Sequence, residues 1–139
     1  MAESTNLYSV QPIGVVRSSI MQRKNAPRQG NEGAPEAWIE VRPEYRDAID
    51  GLGVGADVWV LTWLHQGRRE TLKVHPRGTG VLTGVFATRS PDRPNPIGLH
   101  RTTVVEIDGL RIRLSAMEVV DGTPVVDIKP VLGHEAAAS

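Results

Sequence analysis

The stretch Leu99-His-Arg-Thr-Thr-Val-Val-Glu-Ile-Asp-Gly-Leu-Arg-Ile-Arg-Leu-Ser-Ala-Met-Glu-Val-Val120 decides the fold class. At its centre stands Asp108-Gly109, a pair that favours a two-residue type I′ turn. Leu99 to Ile107 and Leu110 to Val120 therefore read as the two strands of a hairpin. Downstream, Asp121-Gly122-Thr123-Pro124 is a second turn, leading into a last strand, Val125 to Lys129. Upstream lie a proline-rich loop, Arg89 to Pro96, and two strands, Thr71 to His75 and Val81 to Thr88, separated by Pro76-Arg77-Gly78. Val58 to Leu64 is the clearest strand, with β-branched and aromatic residues on alternate faces. Pro43 to Ile49 reads as one short helix with proline in its first turn, ended by Gly51. Ala37 to Val41 is a strand. Met21 to Pro35 is a long polar loop, of a length that is usually either functional or disordered. Tyr8 to Ile20 is a first strand in which Pro12 marks an edge or a kink. No window sustains a helical stripe. Seven or eight short strands predict an all-β domain, and closure into a barrel is the economical way to remove its edges.

Composition narrows the function classes. At 139 residues and 15.1 kDa the chain fits one domain and is too short for architectures such as a (β/α)8 barrel of about 250 residues. Sixteen basic and sixteen acidic side chains give a formal net charge of zero, against a histone-like or membrane-coating protein. There is no cysteine, so disulfides, thiolate nucleophiles and Cys-ligated metals are excluded. The N-terminus has neither a basic nor an apolar signal region, and no apolar run reaches membrane-spanning length, so a soluble, cytoplasmic protein is expected.

The zero total hides segregation. Residues 1–64 hold six basic and eight acidic side chains, residues 65–101 seven and two, and residues 102–139 three and six. No acid occurs between Ser4 and Asn31, where Arg17, Arg23, Lys24 and Arg28 lie. Two loop-rich segments are thus cationic, as solvated loops or as a patch for an anion such as phosphate.

Several apparent motifs carry little. Gly51-Leu-Gly53-Val-Gly55 follows a short helix and precedes a strand, the wrong order for a dinucleotide loop, and turn geometry is sufficient explanation. His65, His75, His100 and His134 have no ligand-like pairing, so no metal is expected. Ser90 lacks a nucleophile elbow. The loop Thr88-Arg-Ser-Pro-Asp-Arg-Pro-Asn-Pro-Ile-Gly-Leu99 is different: its three prolines restrict the free loop and hold Arg89, Arg93 and Asn95 in place before a ligand arrives.

With Tyr8-Ser-Val-Gln-Pro-Ile-Gly, Val85-Phe-Ala-Thr-Arg-Ser-Pro, Arg93-Pro-Asn-Pro-Ile-Gly-Leu99 and Asp121-Gly-Thr-Pro-Val-Val-Asp-Ile-Lys-Pro130, in this order and spacing, the chain resembles the TsaA-like family of TrmO-type tRNA N6-adenosine methyltransferases. The resemblance implies a single β-barrel-like domain over residues 1–139, with a core of about 8–131 and a tail of 132–139. It implies S-adenosyl-L-methionine as cofactor and a homodimer with its sites near the subunit interface. The expected cofactor contacts are Pro27, Arg28, Gln29, His65, Gln66, Arg89, Leu99, Asp121, Gly122, Thr123 and Pro124. The expected reaction is methylation of N6 of threonylcarbamoyladenosine at position 37 of tRNA. Arg23, Lys24, Arg68, Arg69, Lys73, Arg77 and Arg93 are candidate RNA contacts.

The acceptor nitrogen is a weak nucleophile because its lone pair is delocalised into the purine. An amide oxygen accepting its N–H favours the attacking form, and Asn95, between Pro94 and Pro96, is the candidate catalytic group. The chain departs from the family at two aromatic positions, with Asp92 where Phe is common and Val131 where Tyr is common. Stacking on an extruded base is thereby reduced. A same-fold methyltransferase with a non-tRNA acceptor, and a non-catalytic cofactor- or RNA-binding barrel, are the competing readings.

Overall fold

A computed structural model describes residues 6–21, 35–76 and 80–133. Its strands are β1 (Gly14–Arg17), β2 (Ala37–Val41), β3 (Asp57–Trp63), β4 (Lys73–Val74), β5 (Thr83–Gly84), β6 (Ile97–Asp108), β7 (Arg111–Leu114) and β8 (Pro124–Pro130). Six of them close a barrel in the order β1-β2-β7-β6-β3-β8, while β4 and β5 form a separate two-stranded ribbon. Every pairing is antiparallel. The all-β, barrel-like expectation is borne out.

Alternation along the strands fills the interior. Val58, Val60 and Thr62 of β3 point inward, as do Gly98, His100, Thr102 and Val104 of β6. They meet Val16, Ile39, Ile112, Leu114 and Val125, with Met117 and Val119 from the segment after β7. β6 is long enough to serve two neighbours, pairing first with β3 and then with β7 across a bulge between Val104 and Glu106. Such a bulge bends the strand as a small barrel requires.

Several boundaries differ from expectation. β1 begins only at Gly14, after Pro12, because proline cannot continue the ladder. β7 stops at Leu114, since the chain then turns to bury Met117 rather than to pair. Pro43–Ile49 is a 3-10 helix, kinked at Tyr45, instead of one α-helical segment. Most of Val81 to Thr88 is not strand: β5 is two residues long and runs into a 3-10 turn at Val85–Ala87. The hairpin after β6 also differs. Asp108 pairs with Arg111, leaving Gly109 and Leu110 as the turn, and only Gly109 (φ 62°) lies at positive φ. That is the pattern of a type II′ turn, with glycine first, not of type I′.

Antiparallel pairing gathers the variable loops. Trp63 is opposite Ile97, Thr62 opposite Val125, and Val15 opposite Pro124. The chain therefore leaves β1 and β3 and returns into β6 and β8 at the same end of the barrel. The described residues 18–21 after β1, the turn after Trp63, the loop before Ile97 and the turn before Pro124 lie along one rim.

Candidate active site

The proline-rich loop is built against the segment that follows β3. Pro96 is fully buried, and its carbonyl accepts from Leu64 N at 2.7 Å. Gly67 N donates back to Leu64 O at 2.7 Å, and a Cβ on Gly67 would collide with the Pro91 carbonyl and lie 3.1 Å from Pro96 Cβ. Glycine there permits the two loops to touch. Asp92 Oδ1 accepts from Arg68 N at 2.9 Å. Arg69 donates through Nε to Pro94 O at 2.8 Å and through Nη2 to Asn95 Oδ1 at 3.0 Å. Its guanidinium lies over Trp63, 5.2 Å from the ring centroid.

Inside the loop, Arg93 Nη1 donates to Thr88 O at 2.9 Å and Ser90 O at 3.0 Å. Thr88 Oγ1 accepts from Ser90 N and Ser90 Oγ from Asp92 N, both at 3.1 Å. These bonds hold the loop in one shape.

Of the predicted cofactor contacts, His65 and Gln66 are exposed in the turn after β3, and Arg89 is exposed at the start of the proline-rich loop. Leu99, 40% exposed, stands on the outer face of β6 opposite Leu61. The turn at residues 121–124 is tied to β1. Asp121 Oδ1 accepts from Ser18 N at 3.0 Å, and Oδ2 lies 3.8 Å from Arg17 Nη1. The N–H groups of Asp121, Gly122 and Thr123 donate to Ile20, Val16 and Val120 carbonyls, and Gly122 (φ 86°) supplies the left-handed residue. What this turn can still offer a ligand is carbonyl oxygen rather than amide N–H. Pro27, Arg28 and Gln29 lie outside the described residues, with Arg23, Lys24, Arg77 and His134.

Among the predicted RNA contacts, Arg68 and Lys73 are exposed. Arg69 and Arg93 are instead engaged in holding the proline-rich loop, one from outside and one from within. These bonds use Nε and Nη2 of Arg69 and Nη1 of Arg93, so part of each guanidinium is committed to the loop. Asn95 is exposed at the loop's tip, and among the described residues its side chain is engaged through Oδ1 alone.

One polar chain escaped the sequence reading. His100 Nε2 is 2.8 Å from Thr62 Oγ1, and Nδ1 is 3.3 Å from Glu118 Oε1. Thr62 is 0% and His100 8% exposed. The carboxylate accepts from Nδ1–H, while Nε2 and the threonine hydroxyl share the second hydrogen bond. Burial raises the Glu118 carboxyl's pKa, but the hydrogen bond and charge of His100, together with the field of Arg89, outweigh it and leave the group below the ordinary carboxylate range. Gly98 makes room: a Cβ there would collide with Thr62 Oγ1 and sit 2.7 Å from His100 Nε2. The inward phase of β3 and β6 was the available signal, since it puts Thr62 and His100 on the same face. Among the described residues no cluster of three His, Asp or Glu could hold a metal ion, and no helix is long and apolar enough to cross a membrane.

The fold defines a small closed β-barrel that carries a braced, proline-rich loop with an exposed asparagine amide at one end. The chain belongs to the tRNA-methyltransferase O N-terminal domain family, whose model matches residues 15–135. It is 46% identical over 121 residues to a probable S-adenosyl-L-methionine-binding protein of Methanothermobacter thermautotrophicus, covering 87% of this chain and 88% of that one. It is 37% identical over 136 residues to the tRNA (adenine(37)-N6)-methyltransferase of Escherichia coli, covering 90% of this chain and 58% of the relative. Its fold is similar to the crystal structure of TrmO from Pseudomonas aeruginosa, with a TM-score of 0.76, 36% identity, and coverage of 95% and 59%. The chain thus spans less than two thirds of these last two proteins.

Proposed function

We propose that this chain is an S-adenosyl-L-methionine-dependent methyltransferase domain acting on tRNA, with N6 of threonylcarbamoyladenosine at position 37 as the acceptor, working in the cytoplasm as a homodimer. The observation that carries this reading is the convergence of Arg89, Asn95, His65-Gln66 and the 121–124 turn at one barrel end in a chain of this family. The donor set fits the cofactor. A guanidinium at Arg89 suits a carboxylate, Leu99 offers apolar surface to a purine, and His65, Gln66 and the turn carbonyls suit hydroxyl and amino groups. Pro27, Arg28 and Gln29 complete the expected set.

When bound, the cofactor supplies an electrophilic sulfonium methyl: the N6–CH3 bond forms as the S–CH3 bond breaks, sulfur keeps the electron pair, and the N6 proton passes to water. The protein's part is alignment, which can contribute roughly 7–11 kcal/mol. Asn95 Oδ1 accepts the N6–H and keeps the lone pair available, while the prolines on either side hold that amide still.

A second reading is favoured by one observation. Each of the three tryptophans already has an arginine over its ring: Arg69 on Trp63, Arg101 on Trp59, and Arg111 and Arg113 on Trp38. Few aromatic faces remain for an extruded base, Phe86 (86% exposed) being the one close in sequence to Arg89. This supports an acceptor other than tRNA. The discriminating experiment incubates the protein with S-adenosyl-L-methionine and tRNA from cells lacking it, then digests the tRNA for mass spectrometry. The expected product is threonylcarbamoyladenosine one methyl heavier. Cofactor binding without any new nucleoside would reject the tRNA reading.

A further inference from the structure

Arg69, itself exposed, differs from the cations around it because its planar group meets three partners at once: Pro94 O, Asn95 Oδ1 and the Trp63 ring. A guanidinium carries donors only, so the face of the Asn95 amide turned toward it has to be the oxygen. Nδ2 and its two hydrogens then point away. The Asn95 backbone is fixed independently. Pro94 and Pro96 restrict it on both sides, its carbonyl accepts from Ile97 N at 2.7 Å, and Pro96 O is held by Leu64 N. Position and amide orientation are thus both determined before any ligand arrives, on a side chain that is itself exposed.

We propose that Arg69 is a positioning residue: it orients Asn95 so that the free lone pair of Oδ1 and an Nδ2–H form an acceptor–donor pair matched to adenine. This deepens the functional reading above and rests on it. Adenine offers an amino donor beside a ring-nitrogen acceptor, whereas guanine presents a carbonyl oxygen where the amino group would be. The fixed amide suits the first and opposes the second. The Arg69 charge also draws electron density from the amide, strengthening Nδ2–H as a donor to the ring nitrogen. Arg69 would therefore affect turnover and base choice through Asn95 without touching the base.

The test compares Arg69→Lys, Asn95→Ala and Asn95→Asp with the unaltered chain. Lysine keeps the charge but loses the two-pronged donation and the flat contact with Trp63. The expected result is a fall in kcat of about 10- to 100-fold for Arg69→Lys, the scale of a misplaced reacting group, with KM for tRNA and cofactor Kd unchanged. Asn95→Asp keeps a partner for Arg69 but has no N–H, and is expected to be equally impaired. A raised KM for tRNA with intact kcat in Arg69→Lys would make Arg69 a phosphate contact and overturn the proposal. Impaired Asn95 variants beside a fully active Arg69→Lys would overturn it while leaving the functional reading standing. If no tRNA is methylated, that reading fails on its own. The orientation is then read from the Asn95 side-chain NH2 resonances in a 15N NMR spectrum: Arg69→Lys is expected to shift them, and unmoved resonances would overturn the proposal.

Discussion

At the residue scale, Glu118 shows how one carboxylate links the barrel interior to its rim. Its pKa is depressed in the folded chain, because the contributions of His100 and Arg89 outweigh burial. A carboxyl depressed on folding stabilises the protein above its unfolded pKa, and that contribution disappears as pH falls through the folded value. We therefore expect Glu118→Gln to lower stability near neutrality and to flatten the acid side of the profile. Urea midpoints between pH 7 and pH 3 check this, and the two curves should converge once Glu118 is protonated. Parallel curves would remove Glu118 from the acid response. Gly98 belongs to the same group. In the sequence it falls between the proline-rich loop and the strand expected from Leu99, yet its lack of a Cβ is what lets the Thr62 and His100 side chains meet.

Among the elements, legibility followed the range of the forces involved. β3 and β2 were readable almost to the residue because inward and outward positions alternate strictly in Val58–Leu64 and Ala37–Val41. β7 was overextended because Met117 and Val119 keep an alternating pattern after the ladder has ended, and only the tertiary fold shows that they bury without pairing. The proline-rich loop was legible as rigid, but its partners were not. Arg68, Arg69 and Asp92 lie more than twenty residues apart across the contact and carry no local periodicity. Asp92 stands where the family commonly has an aromatic, and its carboxylate anchors the amide of Arg68. We expect Asp92→Ala to speed hydrogen exchange at the Arg68 amide, measured by NMR, with Asp92→Asn retaining most of the protection through its remaining oxygen. Unchanged exchange would mean that packing around Gly67 alone holds the loop.

For the whole molecule, charge and topology divide the labour. The neutral total conceals a cationic middle segment, with Arg68, Lys73, Arg89 and Arg101 among its described members. If tRNA is held there by phosphates, log K for tRNA should fall steeply and linearly with log salt concentration, at about 0.9 per phosphate neutralised in duplex regions. Cofactor affinity should change far less. Fluorescence titrations from 50 to 300 mM KCl, roughly the range over which phosphate contacts are screened, compare the two directly. Equal slopes would argue against a phosphate-binding role for the segment. The convergence of the rim loops was not readable from sequence, because it arises from which strands neighbour one another and not from any strand alone.

Closure of the barrel has a temporal consequence. β8 must find β1, and Ser18 must reach Asp121, 103 residues further along the chain. During synthesis the first strand emerges long before its eventual neighbour exists, so the ring stays open until the last strand is made. The rim, which borrows from both ends of that interval, is among the last parts of the molecule to be assembled. Contacts of such sequence separation slow folding, and a nascent chain with an open ring presents unpaired strands to its surroundings.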